Sequence, residues 1–387
     1  MKYFNDTSVA FASKSNKDLK QSYWLFKMLE NPKLVSFGGK MANLAFSLKL
    51  PVSFLFKQTI FKQFCGGENL QDCQKTIDKL SKYKIGTILD YSIEGKESEA
   101  DFKNCFEETL RTIDIAKADD NIPFCVIKLT GIAEFDLLHK INDKVELSNQ
   151  EREDYLKVME RFRAICKKAF ENDIPLFVDA EKSWIQDAVD QMTMSMMAQF
   201  NKEKAIVFNT IQLYRHDRLD YLKQSFQQSQ QQKFNLGVKL VRGAYMEIER
   251  ERAEEKGYPS PIQKDKASTD SDFNAAIDFC FEQHESISFC VATHNEESTV
   301  KAMDLLESKG LSKNEAACYF AQLYGMSDQI SFTLSDKGYN VAKYVPYGPV
   351  KDVMPYLIRR AEENTSVAGQ TPRELALIKS EIERRKR

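Results

Sequence analysis

The sequence predicts an α/β fold: a (β/α)8 TIM-like barrel with an N-terminal helical arm and a final helix over the barrel mouth. Three observations predict it. From about residue 87 onward, short apolar runs alternate with longer amphipathic polar stretches, the pattern of βα units on a parallel sheet. There are eight such runs, and eight parallel strands in about 300 residues suit a closed barrel better than an open doubly wound sheet. No GxGxxG follows any run, which weakens the dinucleotide-fold alternative.

Residues 1–86 come first and read as helical, with breaks at Asn31-Pro32, Gly38-Gly39, Pro51 and Gly66-Gly67. They form the expected arm, and 87–387 the expected catalytic barrel. The predicted strands are 87–92, 124–131, 175–181, 205–214, 236–243, 287–295, 316–326 and 341–348. Between the second and third, 151–172 reads as a long helix because Tyr155, Val158, Met159, Phe162 and Ile165 recur at helical spacing. A second clear helix is 296–309, opened by Asn295 as N-cap. The glutamine-rich run 226–233 reads as the solvated end of another. After the eighth strand, a helix from about Val350 places Tyr356, Arg359, Arg360 and Glu363 on one face.

Composition narrows the function. With 387 residues, 42% apolar and 29% charged, the chain can bury a large core. Its 55 basic and 57 acidic side chains leave a formal net charge of -2, so no overall positive field argues for nucleic acid or an anionic membrane. A small-molecule partner is the default. Eight scattered cysteines without a CxxC pair read as reduced thiols in a reducing compartment, and four histidines without HxxxH offer no zinc site, so no metal is expected. The amino terminus, MKYFNDTSVAFASKSNKDLK, has neither an apolar signal core nor the Arg-rich character of a transit peptide. The expected location is cytoplasmic. Residues 44–61 are the most hydrophobic stretch, but Lys49, Pro51 and Lys57 deny it the ~20 apolar residues of a spanning helix. It reads as a helical arm packed on a core, with a membrane-surface helix as the alternative.

Functional groups of such barrels collect at the carboxyl ends of the strands. Unusual polar residues fall there: Asp90 and Glu94, Lys128, Asp179 and Glu181, Gln212 and Tyr214, then the segments KLVRGAY, ATHN, AQLYGM and KYVPYG. A lysine inside an apolar strand run needs its charge paired, because desolvation disfavours the ammonium. Asp179 on the adjacent strand is the natural partner for Lys128. Three readings stay open for that pair: an ion pair that only satisfies itself, a pair lining a substrate pocket, or a Schiff-base lysine of an aldolase. The adjacent guanidiniums of Arg359 and Arg360 suit a forked grip on a carboxylate, against the alternative of a solvated basic face. For His294 the choice is cofactor contact or a core histidine bonded to backbone.

The segments IKLTG, VDAE, KLVRGAY, ATHN, KYVPYGPV and YLIRRAEEN, in order from about residue 87 to 370, together resemble the proline dehydrogenase family, in particular its monofunctional, eukaryote-like branch. The resemblance implies a noncovalently held FAD across the strand ends and oxidation of L-proline to Δ1-pyrroline-5-carboxylate. It implies that Arg359 and Arg360 hold the proline carboxylate, that Lys128 and Asp179 line the pocket, and that Tyr245 hydrogen-bonds Asp179. Leu240, Leu323, Tyr344 and Tyr356 would pack around the ring, and Glu94 would pair with the first arginine as a gate. For the flavin it implies Gln212 and Lys239 near the isoalloxazine, Val241, Gly243 and Ala244 along the fifth strand, Thr293 and His294 toward the phosphates, and Glu363 on the ribityl hydroxyls.

Two departures stand out: many bacterial members carry arginine where this chain has Lys239, and a tryptophan that stacks on adenine in one member is here Met246. The family usually hands its electrons to a membrane quinone, which implies a peripheral membrane contact on the inner face; residues 44–61 and the basic tail 383–387 are the candidate surfaces. Tyr344 favours proline over 4-hydroxyproline, because hydroxyproline-specific relatives carry serine there. The rival functions are a hydroxyproline dehydrogenase on the same scaffold, a lysine Schiff-base aldolase without flavin, and a barrel that only binds.

Overall fold

The computed structural model describes residues 3–31, 33–35, 38–39, 41, 53–93, 97–366 and 370–387. Eight strands pair in sequence order into one closed barrel: β1 Gly86–Tyr91, β2 Phe124–Ile127, β3 Leu176–Val178, β4 Val207–Gln212, β5 Leu236–Val241, β6 Ile287–Ala292, β7 Cys318–Leu323 and β8 Val341–Tyr347. Each falls within, or within one residue of, a predicted apolar run. The ladders are parallel, with Asp90 opposite Pro346 between β1 and β8, and Lys239 opposite both Thr210 and Cys290 in the middle of the sheet.

By contacts the chain divides into two units, 1–94 with 321–387 and 95–320. In the larger one the barrel lumen is aromatic. Phe124 of β2 stacks on Phe177 of β3 at 4.3 Å, Phe177 meets Phe208 of β4 edge-on at 5.5 Å, and Tyr319 of β7 meets Phe124 at 4.9 Å. Strands two and seven are not neighbours in the sheet, so that last contact crosses the interior. Gly237 makes room for these rings: a Cβ there would stand 2.6 Å from the Val207 carbonyl oxygen and 2.8 Å from the Phe208 ring. The helix Asn149–Glu171 starts on a capping box, Ser148 with Glu151, and Glu296–Ser308 starts on Asn295, whose side chain accepts from Ser298 N at 2.9 Å. The glutamine-rich run ends the helix Arg218–Gln232, which stops at Lys233 in the left-handed region (φ 56°).

The other unit holds β1, β8, the helices Asn16–Leu29 and Leu70–Ser81, and, after β8, the helices Val350–Ser366 and Gln370–Arg384. Phe11, Leu19, Phe26, Phe61, Phe64, Met354, Leu357 and Leu377 share one buried cluster, so the arm and the carboxyl-terminal helices form a single apolar core. Among the described residues no helix is long and apolar enough to cross a membrane. Of the stretch 44–61, residues 44–52 lie outside the described residues, and Phe54 is 68% exposed.

Candidate active site

In the larger unit, the ends of β2, β3 and β5 bring three charges together. Lys128 directly follows β2, Asp179 directly follows β3, and Lys239 lies near the end of β5. The Asp179 amide donates to the Ile127 carbonyl at 2.8 Å, which fixes its backbone against β2. Its carboxylate accepts a hydrogen bond from Lys239 Nζ and stands 3.7 Å from Lys128 Nζ. The pair expected from the sequence is therefore a triplet, with Lys239 as the closer cation. Lys239 is nearly enclosed, its ammonium 5.0 Å from the Phe177 ring centre, whereas the Lys128 side chain keeps 23% of its surface.

Other carboxylates brace these ends. Glu181 is buried and accepts from the Thr130 amide at 3.1 Å and the Thr130 hydroxyl at 2.7 Å, tying the loop after β2 to that after β3. Burial pushes its carboxyl above the ordinary range, against those hydrogen bonds. Glu249, with no exposed surface, takes both the amide and hydroxyl of Ser183 at 2.6 Å and so joins the helix Met246–Lys256 to the start of Ser183–Phe200. Tyr245, almost buried, is the residue at which that first helix begins.

Along β4 to β6 the residues assigned to a cofactor lie at strand ends. Gln212 closes β4 and is 2% exposed; its Oε1 is buried without a hydrogen-bond partner among the described residues. Val241, opposite Gln212 in the ladder, ends β5, and Gly243 and Ala244 form the turn that follows. Thr293 and half-buried His294 lie between β6 and the helix it feeds. Arg242 organises that junction, donating to Asp270 at 2.7 Å, Thr293 Oγ1 at 2.7 Å and Ser298 Oγ at 3.0 Å, with its guanidinium 4.2 Å from the Phe273 ring centre. Sequence reasoning singled out neither Arg242 nor Lys239's bond to Asp179, although KLVRGAY displays both cations.

In the other unit, Tyr344 is buried on β8, half-buried Leu323 ends β7, and the helix Val350–Ser366 carries Tyr356, Arg359 and Arg360. Tyr356 is 5% exposed, both arginines are half-buried, and the Arg360 guanidinium lies 5.1 Å from the Tyr356 ring centre, as the shared helix face predicts. Leu240 is fully buried on β5. Glu94 and the side chain of Glu363 lie outside the described residues.

A family model described as proline dehydrogenase matches residues 73–373. The chain belongs to the proline dehydrogenase family. That membership makes it an oxidoreductase. It is 33% identical to "Proline dehydrogenase 1, mitochondrial" of Dictyostelium discoideum over 98% of this chain and 74% of that one. It is 31% identical to the hydroxyproline dehydrogenase of Xenopus laevis over 99% of this chain and 90% of that one. Among solved structures it resembles proline utilization A from Bdellovibrio bacteriovorus, inactivated by N-propargylglycine, with TM-score 0.71 and 22% identity, covering 93% of this chain. The chain spans 38% of that longer protein, and the likeness bears on the fold alone.

Proposed function

We propose that the chain oxidises L-proline to Δ1-pyrroline-5-carboxylate with noncovalently bound FAD and passes the electrons to a quinone-type acceptor. The observation that carries this reading is Asp179 gripped between Lys128 and Lys239 at the strand ends of a proline dehydrogenase family barrel. The buried Gln212 Oε1, an acceptor left for a group from outside the chain, supports a bound flavin. Gln212, Lys239, Val241, Gly243, Ala244, Thr293, His294 and Glu363 would hold it. Bound FAD would supply the two-electron acceptor for a hydride from the ring carbon beside nitrogen.

The chain's own residues then divide the work. Arg359 and Arg360 take the substrate carboxylate in a fork, and the Tyr356 ring under Arg360 limits the swing of that guanidinium. Glu94 would pair with the first arginine over the bound substrate, as the family resemblance implies. Proline arrives as a zwitterion, so its ring nitrogen must shed a proton. Lys128, Asp179 and Lys239 form one charge cluster, and the proton passes to the triplet rather than to a single named base. Tyr245 steadies Asp179 from the turn after β5. Leu240, Leu323, Tyr344 and Tyr356 exclude water from the reacting carbon.

Seven of the eight cysteines are buried, and none is in a disulfide. They support a reducing compartment, a property shared by the cytoplasm expected from the sequence and the mitochondrial location printed for the Dictyostelium relative. Peripheral membrane contact follows from the quinone acceptor.

Anaerobic titration of the purified yellow protein with L-proline tests the reading: the flavin should bleach stoichiometrically. A colourless protein, or a flavin indifferent to proline, would overturn it, and the first result would favour the lysine aldolase. The similarity to a hydroxyproline dehydrogenase makes trans-4-hydroxy-L-proline the second substrate to titrate.

A further inference from the structure

The turn after β7 is held in an uncommon shape by side chains from three other segments. Gly325 has φ +79°, and a Cβ there would collide with the Gln63 carbonyl oxygen. Ser327 is also left-handed (φ 50°, ψ 43°), fully buried and not a glycine, a conformation that costs on the order of 1 kcal/mol and persists only where surroundings enforce it. The surroundings do so. Lys343 Nζ donates to the Met326 carbonyl and, at 3.4 Å, to the Leu323 carbonyl. Gln63 Nε2 donates to the Gly325 carbonyl at 2.7 Å, and Gln63 itself is held by Ser22 at 2.9 Å. From the helix Gln370–Arg384, Glu374, 6% exposed, reaches in and its carboxylate accepts the Ser327 amide hydrogen.

This turn is not remote from the chemistry. It begins at Leu323, and the amide of Tyr324 donates to the Tyr344 carbonyl at 2.8 Å. Leu323 packs against the buried cluster that contains Tyr356. Two of the four side chains assigned to the walls around the substrate ring, Leu323 and Tyr344, therefore adjoin the turn.

We propose that Glu374 is a positioning residue for substrate binding: its carboxylate locks the turn after β7 and thereby sets Leu323 and Tyr344. The inference rests on the functional reading above. It uses the carboxylate as an acceptor, so an amide in the same place should serve, while a methyl group should not.

The test compares Glu374→Ala and Glu374→Gln in the full flavin-loaded chain. Glu374→Ala should raise KM for L-proline roughly tenfold with kcat changed by less than about threefold, and should quicken amide hydrogen exchange across 323–327. Glu374→Gln should restore both. Where the alanine variant does not fold, Gln63→Leu releases the same turn from its other side and should raise KM in the same way. Faster exchange with KM unmoved would reduce Glu374 to a structural tie and overturn the proposal, as would an alanine variant that matches wild type in both. A wild type that leaves proline untouched sinks the functional reading instead; a wild type that turns proline over, with KM unmoved in these variants, sinks this inference alone.

Discussion

Each unit of the molecule places one aspartate between two lysines, and the two sites use that arrangement differently. Asp179 sits between Lys239 and Lys128, and the second cation stands 3.7 Å away with 23% of its side chain exposed. Asp328 sits between Lys343 at 2.9 Å and Lys14 at 3.3 Å, with side-chain exposures of 1% and 11% for the lysines. Lys343 spends its three donors on Asp328 and two carbonyls, which satisfies the ammonium completely. The two cations hold Asp328 down to about 2, against the burial that raises it. The nearly enclosed cluster around Asp328 fixes backbone; the cluster around Asp179 keeps a lysine with a partly exposed side chain, which can answer to a substrate.

Matched substitutions break or sharpen this contrast. Lys343→Met should cost about 3 to 5 kcal/mol of stability, because it strands Asp328 and two carbonyls in a buried site. Urea denaturation reads this directly. Lys128→Met should cost less stability than Lys343→Met, because Lys239 still pairs Asp179, while turnover of proline collapses. Equal stability losses in the two variants would erase the distinction.

A second effect concerns the glutamate of the closed cluster. Burial, then the neighbouring Asp328, push Glu374 up to about 7, against the Ser327 amide, Lys343 and Lys14, which favour its charged form. Its folded value lies above its ordinary 4.5, so the carboxyl binds its proton more tightly in the folded chain. That contribution is complete below about 4.5 and is lost as pH rises through about 7. Asp328 works the other way, contributing above its ordinary 3.8 and losing that as pH falls toward 2. Between Asp328 and Glu374, the window from 4.5 to 7 is therefore that of Glu374. Relative to wild type, Glu374→Gln should gain roughly 2 to 3 kcal/mol of stability across it. Denaturation midpoints at pH 4.5 and 7.5 check this, and a constant difference would contradict the burial argument.

The barrel was legible because buried parallel strands write themselves as apolar runs. The runs overreach at their carboxyl ends: β2 stops at Ile127, where the chain enters a 3-10 turn at Leu129–Gly131, and β3 pairs only over Leu176–Val178. Those overruns contain Lys128 and Asp179, since residues that leave the ladder are the ones available for chemistry. Lys343 carried the same signal as Lys128, a lysine inside an apolar strand, and passed unremarked within KYVPYG. Glu374 carried none. In an amphipathic helix a buried glutamate looks like an exposed one until its tertiary partner, here the Ser327 amide, is known.

In the unit that holds Asp328, the Val350–Ser366 helix carries the adjacent Arg359 and Arg360. Arg359→Met or Arg360→Met should weaken proline by about 1.5 to 3 kcal/mol, the worth of a charge-assisted bond, seen as a raised KM with flavin retained. Both arginines are half-buried, whereas the Lys343 side chain is 1% exposed, so stability should move less than in Lys343→Met. Unchanged saturation in both variants would remove the carboxylate fork.

The smallest expected effect concerns discrimination, and it turns on two neighbours in β8. Lys343 and Tyr344 are consecutive, and alternation along a strand sends their side chains to opposite faces. One therefore serves the closed cluster while the other is available to a substrate. Tyr344 is 9% exposed and its carbonyl accepts from the Tyr324 amide, which fixes its backbone. Against the far carbons of a proline ring, a phenol fills the space that a 4-hydroxyl would need and offers that hydroxyl poor solvation. Serine opens the space and supplies a donor and an acceptor. Tyr344→Ser should weaken proline by about 1 to 2 kcal/mol through lost packing and improve relative use of trans-4-hydroxy-L-proline. Because Lys343 and its partners face away, stability should fall less than in Lys343→Met. The decisive measurement is the ratio of kcat/KM for the two substrates in wild type and variant. A ratio that stays put, or a wild type that already prefers hydroxyproline, would take the selectivity away from Tyr344 and turn the substrate assignment toward the hydroxyproline branch.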